Sequence, residues 1–326
     1  MIITKTPLRV SFAGGGTDLA EFYGREEGAV VSTAIDKYVY IALHRFFENR
    51  IVLKYSRTEV VETIDEIQHP LIRECLRVSQ LSDPVEITSF ADIPATGSGL
   101  GSSSSFTVGL LKALHAFRGR NISPEACADL ACSVEIDRLG EPIGKQDQYA
   151  ASFGGLNFVR FLANGSVAVE PIVLSREKRA ELESNLILFY TGLTRKATGI
   201  LTEQKANTRS AEKFALLQQM RSLAGRLRDE LVRGNVTAMG DILHEGWMLK
   251  RQMASGISSG PIDEFYNRGR QAGAVGGKLL GAGGGGFLLF FCPADRQAEV
   301  TRALPELRSV PFRFDPQGAR IIYAED

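Results

Sequence analysis

The residues best suited to do chemistry stand in the segment from Pro94 to Ser105, which reads PATGSGLGSSSS. A strand is predicted before this segment, over residues 85–90, and an apolar helix after it, over residues 106–117. Small residues at such a turn let a phosphate approach backbone N–H groups closely, and the first helical turn favours its negative charge. Hydroxyl side chains at the same place can bond phosphate oxygens or complete a Mg²⁺ shell. The segment therefore predicts a phosphate-binding loop.

Two widespread types of glycine loop do not fit this segment. The string G-x-x-x-x-G-K-[ST] of the P-loop occurs nowhere in the sequence. A dinucleotide fingerprint fails because Gly101 comes one residue too early for G-x-G-x-x-G, and no acidic residue follows a second strand at the required distance. This spacing disfavours a dinucleotide-dependent oxidoreductase.

Two carboxylates downstream of the loop are candidates for the reaction itself. Asp147 stands in the string GKQDQY, residues 144–149, and Glu135 lies one predicted helix earlier. A kinase of small alcohols needs a phosphate cradle, Mg²⁺ and a carboxylate that takes or orients the hydroxyl proton. Either acid alone is more often a solvated surface group, but the position of both after a phosphate loop favours a kinase.

The glycine content places the loop in a wider pattern. Of 33 glycines in 326 residues, 13 fall in three short windows, at 14–16, 97–101 and 276–286. Each window adjoins a predicted strand, and isolated turns do not explain such density. Lys and Arg together number 38, as do Asp and Glu, so the formal net charge is zero. The sequence therefore lacks the basic excess that would indicate a nucleic-acid partner.

Strands and helices must bring these windows together. The pattern predicts strands over 2–12, 37–47, 51–55 and 85–90, a helix over 59–81, and helices over 106–117 and 124–138. Residues 154–161 and 167–174 are expected to pair as antiparallel strands. After residue 175 follow a strand at 186–190, long polar helices to residue 253, a helix over 261–272 and a strand at 287–291. This mixture favours an α+β fold with two domains, residues 1–180 and 181–326.

The chain shows no signal for secretion or membrane insertion. Lys5 and Arg9 interrupt what would be the apolar core of a signal peptide, and the longest apolar run, residues 287–292, is far too short to span a bilayer. Four cysteines fit neither a disulfide framework nor a zinc pattern. We therefore expect a cytoplasmic protein without a membrane partner.

The three glycine windows, in this order, resemble the three motifs of the GHMP kinase superfamily. The first motif is similar to Thr6–Asp18 (TPLRVSFAGGGTD), the second to Pro94–Ser105 and the third to Lys278–Phe287 (KLLGAGGGGF). The resemblance extends over essentially the whole chain. It implies a ribosomal-S5-like N-terminal domain and a ferredoxin-like C-terminal domain, with ATP held between the two.

The resemblance also implies a role for individual residues. Asp147 would be the catalytic base, with Arg9 beside it, and Ser103 and Glu135 would bind Mg²⁺. The triphosphate would lie against Gly97, Ser98, Gly99, Leu100, Gly101, Ser102, Ser103 and Ser104, with Tyr55 and Ser56 near the nucleoside. The acceptor would meet Gly14, Gly15, Gly16, Thr17, Asp18 and Gly284, and the third loop would brace the second.

One departure from a known pattern bears on the acceptor. Galactokinases carry Gly-Glu-His-Thr-Asp-Tyr in the first motif, whereas this chain has glycine at positions 15 and 16 and leucine at 19. The loss of two side chains and one negative charge suits a bulkier or anionic sugar. The strings SFAGGGTDL, AVVSTAIDKYVY and Trp247–Arg251 are most similar to the branch that phosphorylates the C1 hydroxyl of D-glycero-D-manno-heptose 7-phosphate for nucleotide-activated heptose in surface glycans. The pair Lys250 and Arg251, with Arg45, would then meet the 7-phosphate.

Other interpretations stay open at this stage. A kinase of another sugar such as L-fucose carries similar motifs, and a nucleotide- and sugar-binding regulator can share the scaffold. Arg9, Glu135 and Asp147 argue against the regulator, because a binding protein needs no base. The expected partner is a small-molecule sugar phosphate, and the sequence leaves open whether the protein is a homodimer.

Overall fold

Two β-sheets with helices packed against them form the molecule. The computed structural model describes residues 1–94, 97–193 and 197–325. The first sheet has the strand order β12-β1-β2-β5-β3-β4, and β6 joins it through β2 and carries β7. Its strands are β1 Ile2–Ala13, β2 Gly28–Arg45, β3 Ile51–Lys54, β4 Thr58–Val61, β5 Val85–Ala91, β6 Leu156–Phe161, β7 Val167–Pro171 and β12 Arg320–Ala324.

The second sheet is smaller and lies in the C-terminal half of the chain. Its order is β11-β8-β10-β9, and every neighbouring pair in it is antiparallel. The strands are β8 Leu186–Tyr190, β9 Gly276–Leu279, β10 Phe287–Phe291 and β11 Arg308–Ser309. A sheet with helices packed on it in each half confirms the predicted α+β class.

Eleven α-helices are present in the described part of the chain. In the first half they are α1 Ala20–Tyr23, α2 Pro70–Ser79, α3 Ser102–Phe117, α4 Pro124–Cys132, which a π-helical turn at Ser133–Arg138 continues, and α5 Gln146–Phe153. In the second half they are α6 Arg176–Ser184, α7 Ala197–Asn207, α8 Ala211–Val232, α9 Ala238–Lys250, α10 Gly260–Gln271 and α11 Gln297–Ala303. None of the described helices is long and apolar enough to cross a bilayer.

Local sequence explains where several helices begin. The Ser123 hydroxyl accepts a hydrogen bond from the Ala126 N–H at 3.1 Å, and Pro124 occupies the first turn of α4. In the same way the Ser210 hydroxyl caps α8 by accepting from the Lys213 N–H at 3.2 Å. Helix α8 then buries apolar side chains at intervals of three and four residues, as its sequence predicts; these are Phe214, Leu217, Met220, Leu223, Ala224, Leu227 and Leu231.

The helix predicted over residues 59–81 is wrong in its first half. Residues 58–61 form strand β4, residues 64–66 a 3₁₀ turn, and α2 begins only at Pro70. His69 has extended backbone angles, as expected for a residue before proline, and its Nδ1 accepts from the Ile72 N–H at 3.4 Å. The pair His69-Pro70 therefore starts a new helix and cannot lie inside one.

Helices of the second half of the chain pack against the first sheet. Helix α3 packs on β1 and β2, while α8 and α9 reach β1 from the other half of the chain. Strand β7 of the first sheet ends at Pro171, and strand β8 of the second sheet begins at Leu186. Strand β12, however, returns to the first sheet and pairs antiparallel with β1. The C-terminal segment thus ties the two halves of the chain together.

Candidate active site

The three glycine windows line one cavity between the two halves of the chain. Its volume is about 470 Å³. The first half contributes the loops at 15–18 and 97–104 together with Glu135 and Asp147, and the second half contributes α7, the end of α9 and residues 278–282. The fold therefore brings together segments that lie far apart in the sequence, as the order of the motifs predicts.

Arg9 and Asp147 form a buried ion pair on the wall of this cavity. The Arg9 Nε donates to one carboxylate oxygen and Nη2 to the other, each at 2.8 Å. The remaining nitrogen, Nη1, donates to the Gly99 carbonyl at 2.6 Å, and the Arg9 N–H donates to the Leu100 carbonyl at 3.0 Å. Strand β1, the first turn of α5 and the phosphate loop are thus fixed to one another through a single side chain.

The phosphate loop adopts a conformation that needs glycine. Gly97, Gly99 and Gly101 have φ values of +69°, +73° and +75°. A Cβ at Gly99 would lie 2.4 Å from the Leu280 carbonyl oxygen, and one at Gly281 would lie 2.3 Å from the Gly99 Cα. Backbone packs directly on backbone here, which confirms that the third glycine window braces the second.

Serines follow the glycines into the first turn of α3. The Ser98 and Ser102 hydroxyl oxygens are 2.7 Å apart, and the Ser98 oxygen accepts from the Leu100 N–H at 3.3 Å. Ser103 and Ser104 line the cavity, whereas Leu100 is buried beneath the loop. The loop therefore presents N–H groups and hydroxyls to the cavity from a rigid backbone.

Glu135 lies at the bottom of the cavity and is 1% exposed. One carboxylate oxygen accepts from the Ser103 hydroxyl at 3.0 Å and the other from the Gln148 side-chain amide at 2.6 Å. Burial raises the pKa of Glu135 to about 7, and the hydrogen bonds that Glu135 accepts only partly oppose this shift. None of the described residues pairs with the carboxylate as a cation. A divalent cation beside Ser103 and Glu135 would supply the missing charge, so this oxygen donor set fits Mg²⁺.

The described residues hold no cluster of three or more His, Cys, Asp or Glu side chains with metal-binding geometry. Mg²⁺ in nucleotide sites commonly takes one or two protein ligands and completes its shell with substrate phosphates and water. A single carboxylate with a neighbouring hydroxyl agrees with that kind of site.

Asp18 is buried where the first glycine window meets the turn before α5. Its carboxylate oxygens accept from the Gly16 N–H at 2.9 Å and the Gln146 N–H at 3.2 Å. Burial, with the nearby charge of Asp147, raises the pKa of Asp18 above its usual value. A Cβ at Gly144 would lie 2.0 Å from Asp18 Oδ2, so only glycine permits this approach. Asp18 therefore sets the position of the segment that carries Asp147.

The first glycine window divides into residues that shape it and residues that face the cavity. The Thr17 hydroxyl donates to the Gly14 carbonyl at 2.8 Å, and a Cβ at Gly14 would lie 1.9 Å from the Ala29 carbonyl oxygen. Gly14 and Thr17 are thus packed within the protein. Gly15 and Gly16 line the cavity, and nothing lies within 3.8 Å of the position of a Cβ at Gly15.

Lys250 lines the cavity, but its neighbour Arg251 does not. The Arg251 Nη2 lies 2.8 Å from an Asp263 carboxylate oxygen, in a separate surface depression. Consecutive residues on a helix point about 100° apart, and here the Lys250 side chain contacts the Leu279 and Gly281 carbonyls while the Arg251 side chain contacts Asp263. The expectation that these two residues meet the same group is corrected accordingly. Arg45 also lies outside the cavity, with its guanidinium 5.8 Å from the Phe117 ring centre.

Three further residues named from the sequence lie away from the cavity wall. The Tyr55 hydroxyl donates to Glu59 at 2.5 Å and Ser56 is exposed. Gly284 donates its N–H to the Ile257 carbonyl at 3.0 Å and belongs to the support of the third loop. None of the three lines the cavity, and the placement of Tyr55 and Ser56 near a nucleoside stays a prediction.

Sequence reasoning missed several polar residues of the cavity, among them Gln146, Gln204 and Lys278. Gln146 precedes Asp147, and Lys278 opens the third motif, so adjacency to a motif was an available signal for both. Gln204 lies on α7 and is 4% exposed, with its amide nitrogen 2.6 Å from the position of a Cβ at Gly16. No sequence pattern indicates that α7 covers the first glycine window.

Two family models match the chain on both sides of this cavity. Residues 59–155 match the GHMP kinases N terminal domain, and residues 227–308 match the GHMP kinases C terminal domain. The chain belongs to the GHMP kinases. The matched regions of this GHMP kinase include the phosphate loop and Asp147 on one side, and Lys250 and Lys278 on the other.

Individual relatives support a sugar kinase. The D-glycero-alpha-D-manno-heptose 7-phosphate kinase of Campylobacter jejuni is 28% identical, and the match covers 98% of each chain. A galactokinase of Pyrococcus furiosus is 26% identical over 93% of this chain and 92% of its own. The crystal structure of a D-glycero-D-manno-heptose 1-phosphate kinase from Bacteriodes thetaiotaomicron has a TM-score of 0.82 and 29% identity, with both chains fully covered. This GHMP kinase is therefore a phosphotransferase of the sugar kinase type.

Proposed function

We propose that this kinase transfers the terminal phosphoryl group of ATP to the anomeric C1 hydroxyl of D-glycero-D-manno-heptose 7-phosphate, giving the 1,7-bisphosphate. The contact that carries the proposal is the Arg9–Asp147 pair, which lies between the phosphate loop and the Asp18 region. A base in this position can reach a hydroxyl that faces the terminal phosphate. The two relatives named for heptose phosphates support the class of acceptor.

The chemistry of the step follows from this arrangement. The C1 oxygen attacks the terminal phosphorus, the bond from that phosphorus to the bridging oxygen breaks, and ADP leaves with the electron pair. The hydroxyl proton passes to the Asp147 carboxylate, which two hydrogen bonds from Arg9 hold in position. The positive charge of Arg9, located beside Asp147 and the phosphate loop, also offsets negative charge that develops on the transferring group.

Ser103 and Glu135 would hold Mg²⁺ beside the triphosphate. The ion would neutralise charge on the phosphate oxygens during transfer. The protein's own contribution is the buried Glu135 carboxylate, which Gln148 fixes beside the Ser103 hydroxyl. The N–H groups and hydroxyls of the loop at 97–104 would receive the remaining phosphate oxygens.

The shape of the first glycine window supports an acceptor larger than galactose. The open space above Gly15, with Ser11 Oγ 3.8 Å and Gln146 Nε2 3.9 Å from a Cβ position, is where a galactokinase carries a glutamate side chain. Asp18 and Gln204 border the same space with hydrogen-bonding groups suited to sugar hydroxyls. Lys250 adds a cation that suits a phosphorylated sugar, whereas Arg251 is excluded from this role by its pairing with Asp263.

An ADP-release screen tests the proposal. Purified protein is supplied with ATP, Mg²⁺ and, in separate reactions, heptose 7-phosphate, mannose, L-fucose and galactose. We expect kcat/KM to be highest for the heptose phosphate. Strong turnover of an unphosphorylated sugar with none of the heptose phosphate would replace the proposed acceptor by that sugar.

A further inference from the structure

Two buried lysines face the cavity without a carboxylate partner. Lys250 ends α9 and is 7% exposed, and Lys278 lies in β9 and is 6% exposed. The Lys250 Nζ donates to the carbonyls of Gly281 and Leu279, and the Lys278 Nζ donates to the Phe12 carbonyl at 3.2 Å. Within the described residues no carboxylate oxygen lies within 4.0 Å of either ammonium group.

Two buried ammonium groups that face one cavity are electrostatically unfavourable by themselves. Burial lowers the pKa of Lys250 to about 8, and the charge of Arg9 adds to this effect. Burial also lowers the pKa of Lys278, with further contributions from Lys250 and Arg9. Asp18 and Asp147 oppose the shift at Lys250 but lie too far away to pair with it. Among the described residues neither buried cation therefore has a counter-charge in direct contact, and an anion in the cavity would provide one.

The geometry leaves donors free for that anion. An ammonium group has three N–H donors, so Lys278 keeps two and Lys250 keeps one after their bonds to carbonyl oxygens. Arg9, the third cation of the described cavity wall, is already committed to Asp147 and Gly99. The carbonyl oxygens of Gly281 and Phe12 fix the two ammonium groups without neutralising them.

We propose that Lys250 and Lys278 form a second anion subsite, distinct from the loop at 97–104, which binds the dianion of a phosphate group. The inference rests on the proposed function, which brings two groups of this chemistry into the cavity. These are the terminal phosphate of ATP and the phosphate already carried by the acceptor sugar. Charge-assisted hydrogen bonds from two desolvated lysines give such a subsite its affinity.

Direct binding of inorganic phosphate to the full chain tests the subsite. Affinity is measured by calorimetry for the wild type, Lys250→Met and Lys278→Met. Arg251→Gln serves as the matched control, since it removes a cation next to Lys250 that points away from the cavity. We expect each lysine variant to bind phosphate at least about tenfold more weakly, because one charge-assisted hydrogen bond typically contributes this much. The control should change affinity by less than about twofold.

A second measurement on the wild type does not depend on the folding of any variant. Lysine labelled with ¹³C at Cε is titrated by NMR with and without inorganic phosphate. Bound phosphate should raise the pKa of both buried lysines, and unchanged titration curves at saturating phosphate would overturn the subsite.

Kinetic measurements distinguish the two sources of the phosphate. A rise in KM for a phosphorylated sugar, but not for its unphosphorylated counterpart, assigns the subsite to the acceptor. A rise in KM for ATP with an unchanged KM for the acceptor assigns it to the nucleotide. If phosphate affinity is unchanged in both lysine variants while the wild type turns over heptose 7-phosphate, the subsite is wrong and the proposed function stands. If the lysines bind phosphate but no sugar phosphate is turned over, the proposed acceptor is wrong.

Discussion

Arg9 and Asp147 are joined by two parallel hydrogen bonds of 2.8 Å, and Arg9 is only 4% exposed. A third bond from the same guanidinium reaches the Gly99 carbonyl at 2.6 Å. The candidate base, a cation and the phosphate loop are therefore joined into one unit. Such preorganisation leaves little rearrangement for the moment of phosphoryl transfer.

The first prediction concerns the base itself. Asp147→Asn keeps the size of the side chain but removes its capacity to accept a proton, so kcat should fall by about 10²–10⁴-fold. ATP affinity, measured by calorimetry, should stay within about threefold, since the phosphate loop is unchanged. Arg9→Lys keeps the charge and loses the paired geometry, and we expect a smaller fall in kcat. An Asp147→Asn enzyme with nearly wild-type kcat would exclude Asp147 as the base.

A second prediction concerns stability against pH. Because burial raises the pKa of Glu135 from 4.5 to about 7, the folded ligand-free protein keeps this proton to a higher pH than the unfolded chain. The contribution of Glu135 to the free energy of unfolding therefore decreases as the pH rises from about 4.5 to about 7. As the pH rises from 5 to 8, the free energy of unfolding of Glu135→Gln should therefore increase relative to that of the wild type, by on the order of 2 kcal/mol. Urea denaturation without nucleotide or metal measures this, and parallel pH profiles for the two proteins would contradict it.

The same proton should compete with Mg²⁺. In the presence of a non-hydrolysable ATP analogue, the apparent affinity for Mg²⁺ should increase as the pH rises from 6 to 7 and level off above about 8. Glu135→Gln should bind Mg²⁺ more weakly and lose this pH dependence. Calorimetric titration at several pH values tests both points, and an unchanged Mg²⁺ affinity in the variant would remove Glu135 from the metal site.

A further prediction compares neighbouring glycines. A Cβ at Gly16 would lie 2.6 Å from Gln204 Nε2 and 3.1 Å from Leu217 Cδ2, at a φ of +99°. Gly16→Ala should therefore lose about 1–3 kcal/mol of unfolding free energy. Gly15→Ala, with no neighbour closer than 3.8 Å, should lose less than about 0.5 kcal/mol. Chemical denaturation compares the two, and equal losses would show that α7 does not constrain this window.

Much of this site could be predicted because short stretches of sequence determine its local structure. The glycines between a strand and a helix fix the turn by backbone geometry alone, which is why the loop at 97–104 precedes α3 and lines the cavity. Asp147 and Glu135 follow that loop within about 50 residues and reach the same cavity. Strands β1, β2 and β5 and helix α3 were likewise indicated by their apolar patterns.

Other features of the structure could not be predicted from the local sequence. The predicted helix over 59–81 followed helical spacing of apolar residues, but the restriction that Pro70 imposes on His69 decides the structure. The return of β12 to the first sheet depends on pairing over more than 300 residues of sequence. Gln204 and Lys278 are recognised as cavity residues only from the tertiary structure, because the cavity forms between the two halves of the chain. Arg251 and Lys250 are neighbouring cations in the sequence, but in the structure only Lys250 lines the cavity.

The most direct test of the proposed activity is the ³¹P–¹H correlation NMR spectrum of the product formed from ATP and D-glycero-D-manno-heptose 7-phosphate. The proposal predicts two sugar phosphorus resonances, the original one at C7 and a new one coupled to the anomeric proton, in amounts that match the ADP released. Phosphorus on any other carbon, or no transfer to this sugar while another sugar is phosphorylated, would contradict it.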